Sequence, residues 1–339
     1  MKRLIPLSLL LSLLLLAVAP AVGCGGHAAP RRYSTYDYFD TLCVLHDQSG
    51  DGTAAFDERV SVFREVLSQY QSLLDIYHEY EGTVNLATLN RTAGTGPVEV
   101  SRELFDFLVY AKEIAALTQG RTNIAMGAVL SLWHEARETA GEGEGVLPSE
   151  AALSAAAQHV DIDSLRLDEA TLTVELTDPA LRLDAGAIGK GYAAERLYER
   201  LAGMGVGACA IDLGGNLRTV GSKRDGTAFT AGIRDPEDGT RTVRTVTLTE
   251  GGCATSGSYE RTMTVQGVSY HHIIDPLTLY PADYYVSVTV LARDAGLCDA
   301  LSTALFCLPK EEAFALLSTL EGVRAVFITA DGVQHTYGF

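Results

Sequence analysis

Positive charge is scarce in this chain. Against 43 Asp and Glu it sets 26 Lys and Arg, a formal net charge of −17 over 339 residues. That deficit excludes a partner gripped along a phosphate backbone, so no nucleic acid is expected. An acidic surface also repels small anions at long range, and a phosphate ligand would need local help from backbone N–H groups, a lysine or a metal ion. Cysteine is equally sparing: six are present, none in a CxxC or Cys/His spacing, which argues against zinc. Setting Cys24 aside, Cys43, Cys209, Cys253, Cys298 and Cys307 are odd in number, so at most two disulfides can form. No low-complexity tract interrupts the chain. With 47% hydrophobic and 20% charged residues it has the composition of a folded body large enough for a substantial core.

What is present begins with an export signal. Lys2 and Arg3 precede an uncharged, leucine-rich run from Leu4 to Gly23 and then Cys24. "AVGC", Ala21 to Cys24, has the form of a bacterial lipoprotein cleavage and lipidation box, although Ala21 stands where leucine is commoner. The expectation is a segment 1–24 removed or lipidated at Cys24, a tether over 25–37, and a body over 38–339 held outside the cytoplasmic membrane by a lipid anchor. Ordinary cleavage near Ala19 or Ala21, or an uncleaved membrane helix, are the alternatives.

In the body, "YFDTLCVLH" reads as a strand and Phe56 to Tyr80 carries apolar residues at helical spacing. Between them Asp47, Ser49, Asp51, Gly52, Thr53 and Glu58 fall at EF-hand loop positions. Ala54 replaces the large aliphatic of such loops, and Gly/Asp/Ser clusters make ordinary turns, so the turn reading is preferred. Ser101 is an N-cap for a helix to about Thr118. From Val160 onward short strands dominate, with a helix over 188–203, a strand "SVTVLA", helices "LCDALSTALFCL" and "KEEAFALLSTL", and a closing hairpin turning at Asp331-Gly332. Helices and strands alternate without a parallel rhythm. This predicts an α+β fold, mixed or antiparallel sheets with packed helices in one compact domain.

Three tight small-residue loops sit at expected strand ends: "LDAGAIGKGYAAERL" (183–197), "DLGGN" (212–216) and "TSGSYER" (255–261). The first lacks the P-loop spacing GxxxxGK[ST]. Small residues there can serve close helix packing alone, but three such loops together suggest backbone approaching a ligand. In "CDALSTA", Asp299 and Thr303 are four apart and share one helical face. Carboxylate and hydroxyl there are either satisfied internally or hold a hard cation, for which magnesium suits better than zinc. In "SYHHIIDP", His271 and His272 on an alternating strand point to opposite faces, so one of them can face a site.

Taken in order, "DAGAIGKGYAAE", "DLGGN", "ATSGSYER", "HHIIDPLTLYPA" and "DALSTAL" resemble the ApbE-type flavin transferases, from about Tyr38 to Phe339. The resemblance implies a magnesium-dependent enzyme outside the cytoplasm. It would split the pyrophosphate of FAD, transfer FMN to a threonine or serine hydroxyl of an exported electron-transfer protein, and release AMP. It also implies roles for residues. Asp299 and Thr303 would hold the metal with the Ala187 carbonyl and with Ser302, which is aspartate in some members. Asp184, Lys190, Arg121, Thr122, Asn123, Gly214, Gly215, Ser256, Gly257 and Ile273 would contact FAD. Phe39 and Tyr80 would flank its rings, with Tyr77 as the competitor of Tyr80. His272 would be the base. "GRTN" replaces the commoner "AFD", and "DPLTLYPA" replaces "DPRTGYPA", with Leu277 and Leu279 for an arginine and a glycine.

These residue types suit the chemistry. Attack on a pyrophosphate builds negative charge on the transferring phosphorus and the leaving oxygen, which a metal ion, Lys190 and loop N–H groups would stabilise. An imidazole with an ordinary pKa near ~6.5 can take the hydroxyl proton. Water in place of the acceptor would give FMN and AMP by hydrolysis, and a non-catalytic flavin-binding lipoprotein is the reading from another class.

Overall fold

A computed structural model describes residues 29–141 and 143–339; the export segment and Cys24 lie outside the described residues. In chain order the strands and helices are β1 (Arg31–Thr35), β2 (Cys43–Asp47), α1 (Thr53–Leu74), α2 (Leu86–Arg91), β3 (Val98–Glu99), α3 (Arg102–Leu117), α4 (Gly127–Ala140) and α5 (Glu150–Ala156). Then come β4 (Leu165–Asp168), β5 (Thr173–Leu176), α6 (Gly189–Gly203), β6 (Ala208–Leu213), β7 (Asn216–Gly221), β8 (Phe229–Arg234), β9 (Thr242–Leu248) and β10 (Gly252–Gly257). The chain ends with β11 (Met263–Val265), β12 (Val268–Tyr270), β13 (Ser287–Ala292), α7 (Ala295–Phe306), α8 (Lys310–Leu317), β14 (Arg324–Ile328) and β15 (Gln334–Tyr337).

The frame is an eight-stranded sheet in the order β1-β2-β6-β7-β10-β13-β14-β15, every neighbouring pair antiparallel. Both faces of its middle are covered, which explains why β13 reads SVTVLA without full alternation. Val288 and Val290 pack with Leu301, Leu305 and Phe306 of α7 on one side. On the other, Leu291 and Cys253 meet Phe229, Ile233 and Val246 of the separate β8–β9 hairpin. The largest core joins α1, α3 and α6 to β2 and β6 through Phe63, Leu67, Phe107, Leu197 and Ile211. A smaller cluster around buried Trp133 ties α4 to β11 and to the turn after Asp275. The expected α+β class with antiparallel sheets therefore describes this molecule. Among the described residues no helix is long and apolar enough to cross a membrane.

Several local expectations change. The tether expected over 25–37 contains β1, an edge strand paired with β2 from Arg31↔Asp47 to Thr35↔Cys43, so the folded body starts earlier. The strand expected from Tyr38 begins only at Cys43, because Phe39 and Asp40 turn with φ of 54° and 50°. "RTMTVQGVSYHHII" is a hairpin of β11 and β12, turned by Gln266 and Gly267 at φ of 50° and 78°, which fits a primed two-residue turn. The EF-hand-like loop meets a resident cation of its own chain: Arg59 of α1 pairs with Asp47 at 2.6 Å and with Asp51. The five described cysteines are all buried free thiols.

Candidate active site

The N-terminal turn of α6 and the face of α7 meet with almost no space between them. A Cβ on Gly191 would lie 2.4 Å from the Asp299 Cβ and 2.5 Å from the Ala295 carbonyl oxygen, so only glycine permits this crossing. The Gly191 N–H donates to Asp299 Oδ2 at 2.8 Å. In a regular helix that N–H would serve the carbonyl four residues back, Ala187, which is thereby left without its helical donor. A carboxylate and a free carbonyl oxygen are the outcome of one diverted hydrogen bond.

Further donors surround them. Thr303 Oγ1 makes only long contacts, 3.4 Å to the Asp299 carbonyl and 3.4 Å to Ser256 Oγ. Ser302 is buried and already engaged, at 2.9 Å to the Asp299 carbonyl and 2.8 Å to Ser256 Oγ. Asn216, at the start of β7, reaches Asp299, and its buried Oδ1 has no hydrogen-bond partner. Burial pushes the Asp299 carboxyl above the ordinary range, against the pull of Lys190 and the Gly191 N–H. A hard divalent cation fits this set: an all-oxygen array in which a buried carboxylate, a carbonyl and an amide oxygen lack full partners. Among the described residues no group of three or more His, Cys, Asp or Glu forms a self-sufficient cage. Such a cation would therefore share its shell with substrate phosphates and water.

On the opening loop, Asp184 caps its own turn by accepting from the Gly186 N–H at 2.8 Å. Burial raises its carboxyl pKa, opposed by Gly186, His134, Arg261 and Arg137. Lys190, one residue into α6, acts electrostatically on both Asp299 and His272. Gly214 and Gly215 turn with φ of 62° and 94°, and a Cβ on Gly214 would sit 2.1 Å from Thr41 Oγ1. The Gly215 N–H goes to Asp212 Oδ1 at 2.8 Å, and burial moves the Asp212 carboxyl up to about 6. Ser256 lies at the end of β10 beside α7, while Gly257 is pressed by the Tyr259 ring.

The two histidines divide as strand alternation suggests, although they lie just past β12. His271 is buried, its Nε2 at 2.9 Å from the Ala282 carbonyl. His272 Nδ1 sits 3.0 Å from the Glu260 carbonyl, an arrangement in which Nδ1 donates and Nε2 keeps its lone pair. Burial lowers the His272 pKa to about 4, the Glu260 carbonyl opposing and Arg261 and His271 adding. The base expected with an ordinary pKa is instead an imidazole that is neutral throughout the physiological range. Ile273 follows it, buried.

Other residues expected at the ligand also bond within the protein. Arg121 reaches Asp275 at 3.3 Å and the Cys307 carbonyl at 3.2 Å. Thr122 donates to the Ala300 carbonyl of α7 at 2.8 Å, and Asn123 donates to Val160 and accepts from Ala125. Through Arg121 and Thr122 this stretch braces α7. Phe39 packs on the main core, its N–H held by Gln71. Tyr80 is committed to Asp75 at 2.8 Å, whereas Tyr77 is 62% exposed, lies 5.4 Å from the His134 ring, and has its pKa raised by burial and by Asp184. Tyr77 thus stays exposed and feels the Asp184 charge, while Tyr80 is tied to Asp75. Arg137 of α4, missed in the sequence for want of any motif, joins Tyr77; burial and then Arg261 hold its pKa below the ordinary value. Leu279 adopts φ of 63°, the left-handed region that favours glycine, and its carbonyl accepts from Trp133 Nε1. Two surface hollows, of about 380 Å³ beside Gly251 and Arg324 and about 590 Å³ beside Gln69 and Glu103, lie away from this group.

Residues 42–327 match the model of the ApbE family. The chain belongs to the ApbE family. It is 34% identical over 324 residues to the FAD:protein FMN transferase of Treponema pallidum, covering 91% of this chain and 87% of that protein. The FAD:protein FMN transferase of Klebsiella pneumoniae is 33% identical over 267 residues, 78% of this chain and 80% of that one. Among solved structures, the ApbE protein of Thermotoga maritima superposes with a TM-score of 0.79 at 25% identity, covering 91% and 97% of the two chains. The Vibrio cholerae flavin transferase ApbE, at 23% identity and a TM-score of 0.73, shares the fold.

Proposed function

We infer that this protein is an FAD:protein FMN transferase that uses a divalent cation, magnesium, to move FMN from FAD onto a threonine or serine hydroxyl of an acceptor protein, releasing AMP. The observation that carries this reading is the Gly191–Asp299 hydrogen bond, which frees the Ala187 carbonyl beside a buried carboxylate and a nearly unpartnered Thr303 hydroxyl. Asp299, Thr303, Ala187 and Asn216 would hold the cation, with Ser302 and Ser256 positioning the α7 side. When bound, the cation supplies Lewis-acid stabilisation of charge on the pyrophosphate oxygens.

The protein's own groups account for the rest. Lys190 brings positive charge to the same place, and Tyr77, Arg137 and Arg261 form a wall of aromatic and cationic groups beside Asp184, suited to a flavin dinucleotide. His272 Nε2, unprotonated at neutral pH, accepts the acceptor hydroxyl proton as its oxygen bonds to the FMN phosphorus and the bond to the AMP phosphate breaks. The dianionic pyrophosphate beside it raises its basicity from the low value of the empty site. No enzyme nucleophile is needed.

The leader and "AVGC" support a lipid anchor at Cys24, which would put the enzyme outside the cytoplasmic membrane with acceptors of an electron-transfer system. Mass analysis of the mature N-terminus checks this; an unmodified N-terminus downstream of Cys24 overturns it. The activity is tested by incubating the protein with FAD, magnesium and an exported flavoprotein domain bearing a candidate threonine. AMP and flavin that stays on the acceptor through denaturation are expected together. FMN and AMP without labelled protein would replace transfer by hydrolysis, and unchanged FAD would leave only flavin binding.

A further inference from the structure

Below the residues that face the ligand lies a second layer with the same construction. In the first layer, Gly191 of α6 bonds Asp299 of α7, and Asn216 of β7 reaches the same carboxylate. One helical turn deeper, Glu195 of α6 accepts the N–H of Ala295 of α7 at 2.8 Å. Arg218 of β7 grips that carboxylate with two prongs, Nε to Oε2 at 2.8 Å and Nη2 to Oε1 at 3.1 Å. The spacing is the same on each element. Gly191 and Glu195 are four apart on α6, Ala295 and Asp299 four apart on the antiparallel α7, and Asn216 and Arg218 two apart on one face of β7. Each layer therefore contains one residue from each of the three elements.

The second layer is charged and sealed. Glu195 and Arg218 are 6% and 2% exposed. Arg218 also donates to the Thr219 carbonyl at 2.7 Å and lies 3.4 Å over the Tyr198 ring, whose hydroxyl bonds Glu250. A buried ion pair is a poor device for stability alone, because apolar residues of like volume serve as well or better; its attested use is to fix register. Here the register in question is that of α7 along α6, and Asp299 stands on α7 one turn from the rung.

We propose that Glu195 is a positioning residue whose bond to the Ala295 N–H sets the register of α7 against α6, with Arg218 balancing its buried charge, and so places the Asp299 carboxylate and Thr303 hydroxyl for a divalent cation. The proposal rests on the reading of Asp299 as a cation ligand. Glu195→Gln keeps an acceptor for Ala295 but turns an amide N–H₂ toward Arg218, leaving a buried guanidinium unpaired. Glu195→Gln/Arg218→Met removes that conflict and keeps the Ala295 rung. Glu195→Leu/Arg218→Met keeps an apolar filling and removes the rung.

The measurements are the dissociation constant for Mn²⁺ by electron paramagnetic resonance, without FAD, and hydrogen exchange of the Gly191 amide. The Leu/Met variant is expected to fold, to bind Mn²⁺ at least tenfold more weakly, and to lose Gly191 protection, while the Gln/Met variant stays within threefold of the parent. Equal Mn²⁺ binding in both folded double variants overturns the proposal, as does weakening in both with Gly191 protection intact. Asp299→Ala serves as reference. If it binds Mn²⁺ like the parent, the cation assignment itself has failed, an outcome distinct from an effect confined to the second layer.

Discussion

Replacing Gly191 by alanine should disable the site while leaving the fold in place. The added Cβ would lie 2.4 Å from the Asp299 Cβ and 2.5 Å from a backbone oxygen of α7. Ordinary carbon contacts need about 3.5 Å or more, so α6 and α7 must separate by roughly 1 Å. Overpacking of this kind costs about 1–3 kcal/mol, and the better helix propensity of alanine returns about 0.5–1 kcal/mol, leaving a net loss near 1–2 kcal/mol. The rate should suffer more, because a displacement of about 1 Å at a reacting constellation can cost about 100-fold. The assay is AMP release from FAD with magnesium, alongside thermal unfolding. Gly203→Ala, on the same helix but with nothing within 4 Å of the new Cβ, is the control and should be neutral or slightly stabilising. Should Gly191→Ala match Gly203→Ala in both measurements, the close crossing is not what places Asp299.

His272 and Asp212 give opposite pH signatures. The folded pKa of His272, about 4, lies below the ordinary ~6.5, so the unfolded chain takes up a proton that the folded one refuses; stability is complete above ~6.5 and falls as pH drops toward 4. His272→Gln should flatten that decline by up to ~3 kcal/mol between these limits, read by denaturant titration, and an unchanged slope would refute the burial argument. The Asp212 carboxyl, raised to about 6, costs stability as pH rises through the window from 3.8 to 6. Asp212→Asn, which can still accept the Gly215 N–H, should gain up to ~3 kcal/mol at pH 7.5 and nothing at pH 3, and equal gains at both would count against it. For the flavin, Tyr77→Ala should raise the KM for FAD about tenfold, the worth of one aromatic contact, while Tyr80→Ala changes it by less than threefold. The reverse order restores Tyr80.

Local chemistry was legible wherever it stays local. Ser101 caps α3 through the Leu104 N–H as its position predicts, and Asp331-Gly332 turns the final hairpin. Asp299 and Thr303 share a face because they share a helix. Reading failed where partners lie far apart in sequence. Arg121, Thr122 and Asn123 are held by Asp275, Ala300 and Val160, partners that no motif joins to them. Tyr77 and Tyr80 are indistinguishable by spacing, and the Asp75 hydrogen bond of Tyr80 and the His134 contact of Tyr77 separate them. A signal for the Glu195–Arg218 layer did exist, in the four-residue and two-residue spacings around residues already singled out. Pairing those spacings required knowing that α6 and α7 are antiparallel neighbours.

The direction of β1 has a practical meaning. Its first residue, Arg31, stands opposite Asp47, next to the Gln48–Ala208 contact, and its last, Thr35, stands opposite Cys43, whose other neighbour is Leu213. Five residues at about 3.4 Å each put Arg31 roughly 15 Å along the sheet from Thr35. Arg31, where the sheet begins, is thus held at the rim away from the Gly214–Gly215 turn. The Gly214–Gly215 turn, which follows β6 at Leu213, lies at the other end of these strands.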